Sequence, residues 1–185
     1  MDILEIIKKR RSVFPSQYND KKIQQGELDK ILEAANWAPN HKQTEPWRFK
    51  VVQGDAKVRL ADHIVSKIEK SDNSFSDFKR KKIISKFEKS NVVIAICYQR
   101  DSKFRLPEWE ELAAVAMAVQ NMWLACTFFE IGSYWSTPSF KNQVSDFFNL
   151  EDGESCLGFF YIGKYDSKLE EGRRQSPIND KVSYF

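Results

Sequence analysis

Two short stretches of this 185-residue chain carry more hydrogen-bonding capacity than their local structure requires. Arg10, Arg11 and Ser12 put two guanidiniums and a hydroxyl in one place. The forked donors of arginine match phosphate oxygens, and an adjacent hydroxyl can donate to the same group. The competing reading is that arginines closing a helix complement its dipole. The second stretch, "APNHKQTEPWRFKVV" over residues 38–52, leaves a helix, crosses a polar turn and enters a β-branched run. A turn needs one or two polar residues, whereas Asn40, His41, Lys42, Gln43, Thr44 and Glu45 stand in a row before Pro46. Such an edge can hydrogen-bond a ligand. Two further groupings are Trp135, Ser136 and Thr137, which join an aromatic face to two hydroxyls, and Arg173-Arg174 in a polar loop. Their plain readings are a packed strand end and a solvated pair.

Several chemistries lack their residues. With only His41 and His63, no H-E-x-x-H and no Cys/His cluster, a zinc site has no support. No G-x-G-x-x-G follows a strand, and neither a P-loop nor a G-x-S-x-G elbow occurs. The three cysteines, Cys97, Cys126 and Cys156, are isolated in apolar runs, which fits buried thiols in a reducing compartment rather than a disulfide framework.

Composition is that of a globular domain, with 42% hydrophobic and 30% charged residues, and the length suits one domain. The 14% aromatic share exceeds what core filling requires and suggests a large interface or a pocket for a flat ligand. A net charge of +3 argues against a nucleic-acid or membrane-surface partner, and "KRKK", 79–82, reads as a solvated face. The N-terminal "MDILEIIKKRRS" has no signal-peptide pattern, so a cytoplasmic location is expected. Residues 112–131 are long and apolar enough to span a bilayer. Gln120, Asn121 and Glu130 within them, and Glu108, Glu110 and Glu111 before, point instead to a core or interface helix.

The elements that must position these groups follow from periodicity. Helices are expected over 2–11, 26–38, 55–70 and 75–89, the last two parted by the turn "SDNS". A long apolar helix follows Leu106-Pro107 and closes at Gly132, and another covers 139–149. Strands are expected over 47–53, 91–99 (apolar on both faces), 134–137 and 156–165. The polar tail ends in "VSYF", whose strand character suggests pairing with a distant sheet or another subunit. Strands separated by helices indicate a mixed α/β or α+β layered fold, taken here as α+β.

"RRS" closing the first helix, "AP" with its polar turn and "PWRF", "LPEWEE" before the long helix, "IGSYWST", and "LGFFYIGKY" with a polar tail occur in that order. Together they resemble the nitroreductase family of flavin mononucleotide (FMN) oxidoreductases, in particular its small single-domain members, over essentially the whole chain. The resemblance implies an α+β homodimer, helices around a mixed sheet, FMN at the subunit interface, and a C-terminal extension that adds a strand to the partner. It assigns Arg10, Arg11, Ser12 and Arg174 to the phosphate and ribityl end. Trp135, Ser136 and Thr137 would line the ring, with Trp37, His41 and Gln43 reaching it from the partner subunit. It also implies hydride transfer from NADH or NADPH to flavin N5 and ping-pong passage to a small acceptor such as a nitroaromatic or quinone. His41, whose ordinary pKa lies near neutrality, is a candidate proton donor, with a flavin or interface contact as the preferred reading. Two departures from the family pattern bear on redox tuning: Phe14, where many members carry Lys or Arg, and Glu45, where Gln is commoner. The rival to an enzyme is a flavin-binding or interaction module without turnover.

Overall fold

The computed structural model of the chain describes residues 2–72 and 74–185; Met1 and Asn73, the latter in the expected "SDNS" turn, lie outside them. Helix α1 (Ile3–Lys9) starts at a capping box in which the Asp2 carboxylate accepts from Leu4 N–H and the Glu5 carboxylate accepts from Asp2 N–H. It ends before Arg10, short of the expected Arg11, because Val13 N–H must donate to Ser133 C=O at 3.0 Å. Helix α2 (Gln25–Asn36) precedes β1 (Trp47–Val52), α3 (Asp55–Ser71) and α4 (Asp77–Lys89), and β2 is Val92–Gln99. Helix α5 (Glu108–Phe128), β3 (Ile131–Ser136), α6 (Ser145–Phe148) and β4 (Glu154–Lys164) complete the chain.

Among the described residues the sheet has order β1-β2-β4-β3 with antiparallel pairing throughout. The mixed sheet implied by the resemblance is thus corrected to an antiparallel one among the described residues. Strand β2 explains its own continuous apolarity. Val92, Ile94, Ile96 and Tyr98 enter a core with α2 and α5, while Val93, Ala95 and Cys97 enter a second core under α3 and α4. The register skips Leu157 between Ile96–Gly158 and Cys97–Cys156, a bulge that reverses the facing of β4 beyond it.

Three expectations are corrected. Gly132 does not close α5; Glu130, at φ 54°, makes the turn, and Gly132 lies inside β3 opposite Gly163. Helix 139–149 is a 3-10 turn over Ser139–Val144 followed by the short α6, which Asn149 ends at φ 50°. The last four residues form no strand within the chain; Tyr184 and Phe185 stand fully in solvent after a 3-10 turn at Ile178–Lys181. Helix α5 has the length and composition of a membrane span, yet Ala114, Val115, Ala118, Val119, Met122 and Cys126 are buried in the core with α2 and the sheet.

Candidate functional site

The Arg10–Phe14 segment is held on the outer edge of β3. Tyr18 is its clamp: its hydroxyl donates to both Val13 C=O (2.8 Å) and Tyr161 C=O (2.9 Å). Its ring lies flat over the paired Gly132 and Gly163, where a Cβ on Gly163 would come within 2.5 Å of it. The two glycines of "IGSYW" and "YIGKY" are thus required by one tyrosine. Burial of that hydroxyl pushes its pKa well above the usual value.

The adjacent Arg10 and Arg11 are joined here by Arg174 from the distant tail. Arg10 lies over the Trp123 ring of α5, 4.7 Å from its centroid, and Trp123 Nε1 donates to Arg11 C=O at 3.1 Å. The Arg11 side chain donates to the carbonyls of Glu170, Lys8 and Arg10, so it sews the tail onto the end of α1. Arg11, Arg174, Lys8 and Lys9 border a cavity of about 490 Å³. Among the described residues none of the three arginines forms an ion pair. Burial, then the charges of Arg11 and Arg174, lower the pKa of Arg10. Glu171 also lines that cavity, so its wall carries four cations against one carboxylate, a net positive charge that suits a phosphate. Ser12 is exposed beside it.

On the other side of β3, the Phe14 ring sits 4.6 Å from that of Tyr134, and Lys86 Nζ lies 5.8 Å from the Tyr134 ring centre. Phe14 shares a small cavity with Lys82, Lys86 and Lys89 of α4. Phe14 thus stands beside cations of α4, a neighbourhood that no local motif announces. Within "WST", Trp135 packs against the α5 core with its Nε1 unpartnered, Ser136 is buried and Thr137 is exposed.

The polar turn is pinned at the opposite end of α5. Lys42, Gln43 and Glu45 all have left-handed backbone (φ 52°, 52° and 41°), at a cost of about 1 kcal/mol each for non-glycine residues. Asn40 Oδ1 accepts from Glu45 N–H (3.1 Å), and His41 Nδ1 donates to Glu110 Oε2 (2.7 Å), which leaves Nε2 facing outward. The motif "LPEWEE" now divides into three tasks. Glu108 accepts from Tyr98 Oη, Glu110 holds His41, and the buried Glu111 binds Arg100 and Asp101 N–H. Their acidic spacing was visible in the sequence; their separate partners were not. Trp37 is 77% exposed, and its indole N–H donates to Glu33 Oε1 at 2.7 Å.

The expected site residues thus fall into two groups. Arg10, Arg11, Ser12 and Arg174 gather near the Trp123 end of α5, with Trp135–Thr137 on the adjoining strand. Trp37, His41 and Gln43 gather near its Glu110 end. At 1.5 Å rise per residue, Glu110 and Trp123 are about 20 Å apart along the helix.

The sequence matches the nitroreductase family over residues 7–164. It is 26% identical to the Bacillus subtilis protein named "Putative NAD(P)H nitroreductase YfhC", over 97% of this chain and 92% of that protein. The crystal structure of a nitroreductase-like family protein from Bacillus cereus superposes with a TM-score of 0.82 at 28% identity, covering 100% of this chain and 96% of that one. A nitroreductase with bound FMN from Bacteroides fragilis shares the fold, with a TM-score of 0.75 at 20% identity over 100% and 99% of the two chains. With its ordered motifs, its clamped arginine segment and these likenesses, the chain belongs to the nitroreductase family.

Proposed function

We propose that the chain is an FMN-dependent NAD(P)H oxidoreductase that works as a homodimer with one flavin at each of two equivalent interface sites. The observation that carries this is the separation of the two residue groups along α5. About 20 Å is too far for both ends to serve one flavin within a chain. A two-fold axis crossing α5 would lay the His41 end of one copy on the Arg10 end of the other. The exposed face of α5, with Trp109, Met117 and Phe128, offers an apolar contact for that pairing. The outer edge of β3 is taken by Val13, so the partner's "VSYF" would add to β1 instead.

The residues fit the cofactor. Arg10, Arg11 and Arg174 would hold its phosphate, with Ser12 donating at the ribityl end. Ser136 and Thr137 would meet the ring edge from one subunit, and His41, through Nε2, with Gln43 from the other. When bound, FMN accepts hydride from NAD(P)H at N5 and returns it to a second substrate. Lys86 supplies the positive charge near Phe14 that favours a reduced, anionic ring, which offsets the absent cation and the nearby Glu45. Donor and acceptor each react with the same flavin in turn, which makes the kinetics ping-pong. The three free, buried cysteines suit a cytoplasmic location.

The test is the visible spectrum of purified protein incubated with FMN and freed of excess ligand. A retained, perturbed flavin spectrum bleached by NADH or NADPH under anaerobic conditions is expected, with parallel double-reciprocal lines in turnover. Retained flavin that neither nucleotide reduces would favour the module without turnover. Folded protein that retains no flavin would overturn the assignment.

A further inference from the structure

A second cavity, of about 520 Å³, lies between α4, the end of α3 and the 3-10 turn after Thr137. Its apolar walls are Ile68, Phe75, Ile83 and Phe140, and its rim carries Lys79, Lys82 and Lys86. The three lysines recur at helical spacing on one face of α4, which is why one cavity collects them. The run "KRKK" is accordingly split. Arg80 turns away to bind Glu69 through two nitrogens, at 2.6 and 3.0 Å, whereas Lys79 and Lys82 turn to the cavity.

Three ammoniums face the single carboxylate of Asp72, which is already engaged by Ser74 N–H (2.8 Å) and Ser74 Oγ (2.6 Å). Among the described residues Lys79, Lys82 and Lys86 form no ion pair. An aromatic floor with a cationic rim, at a volume typical of small-molecule sites, selects a flat body bearing negative charge. The cavity shares Lys82 and Lys86 with the smaller cavity lined by Phe14, and Ser139 and Phe140 on its wall follow Thr137 within three residues.

We propose that this cavity takes a small aromatic anion, a fused ring carrying a carboxylate or sulfonate, and that such a molecule is the second substrate. The binding half stands on the cavity alone; the substrate half rests on the flavin reading above. For a quinone of this class, one hydride from NAD(P)H and one solvent proton give the hydroquinone and NAD(P)⁺, so atoms and electrons balance.

The test is calorimetric titration of FMN-incubated protein with naphthalene-2-sulfonate and with its neutral counterpart naphthalene-2-methanol, flavin retention being followed by absorbance. Saturable one-to-one binding of the sulfonate, about tenfold tighter than the alcohol, is expected. The exposed pair Lys79→Gln/Lys82→Gln should weaken the sulfonate roughly tenfold and leave the alcohol unchanged. Equal affinity for the two probes, or no effect of the double substitution, would overturn the proposal. So would displacement of flavin by the sulfonate, since the cavity would then belong to the cofactor. Protein that retains no flavin counts against the proposed cofactor only, because the comparison of probes is read from heat and still decides whether the cavity prefers an anion.

Discussion

Arginines drawn together beside a cavity are a place where an anion from outside the chain can bind. Arg10 is half-buried among Arg11, Arg174 and the Trp123 ring, and its charged form is disfavoured by that burial. Replacing it should therefore harm binding without harming folding. Arg10→Met is expected to weaken FMN binding at least tenfold in a fluorescence titration while the apoprotein's Tm stays the same or rises slightly. Tyr98 offers a separate test of the Glu108 contact. Burial and the hydrogen bond to Glu108 raise its pKa to about 12, above the unfolded value near 10. A raised acid is protonated in the folded state where the unfolded chain has begun to lose its proton. Its contribution is thus complete below pH 10 and is lost as pH climbs through 12. Tyr98→Phe should flatten the fall in unfolding free energy between pH 10 and 12, measured in urea at several pH values.

Among the elements, β3 with its flanking segment decides where the phosphate end can form. Val13 and Tyr18 fasten residues 10–18 to the β3–β4 edge, and Gly132 and Gly163 leave room for the tyrosine ring. A methyl group on Gly163 would have to displace the Tyr18 ring, because a 2.5 Å approach is not sustainable. Gly163→Ala should cost about 1–3 kcal/mol in urea unfolding and reduce FMN affinity with it, as the arginine segment loosens. The main elements were legible because periodicity speaks for itself: β2 reads as apolar on both faces, and it is. The turn after α5 was not legible. A glycine is the usual helix terminator, but Glu130 takes the left-handed conformation and leaves Gly132 free for close packing against Tyr18. The break of helix 139–149 into a 3-10 turn was likewise hidden, because Val144 must be buried under the α3–α4 core.

For the whole molecule, α5 is both the scaffold of one core and the proposed seam between two subunits. Its inward face carries Ala114, Ala118 and Met122, and its outward face Trp109, Met117 and Phe128. An aspartate at Met117 would have to be desolvated in such a seam. Met117→Asp is expected to convert a dimer to a monomer by light scattering and to abolish flavin retention in the same preparation. A dimer that persists with flavin bound would remove α5 from the interface.

The sequence by itself determined the class of fold, the ordered motifs and the residue types that suit a phosphate and a flat ring. Those properties reside in local periodicity and in the chemistry of single side chains. Only the tertiary structure decided which residues meet. The charge of Arg174 acts on Arg10 because Arg11 ties the tail to the end of α1, and Lys86 stands beside Phe14 because α4 passes close to Tyr134. The three glutamates of "LPEWEE" take three different partners because neighbouring helical positions point in different directions. Contacts between positions remote in the chain depend on how the layers pack, and no local pattern encodes that distance.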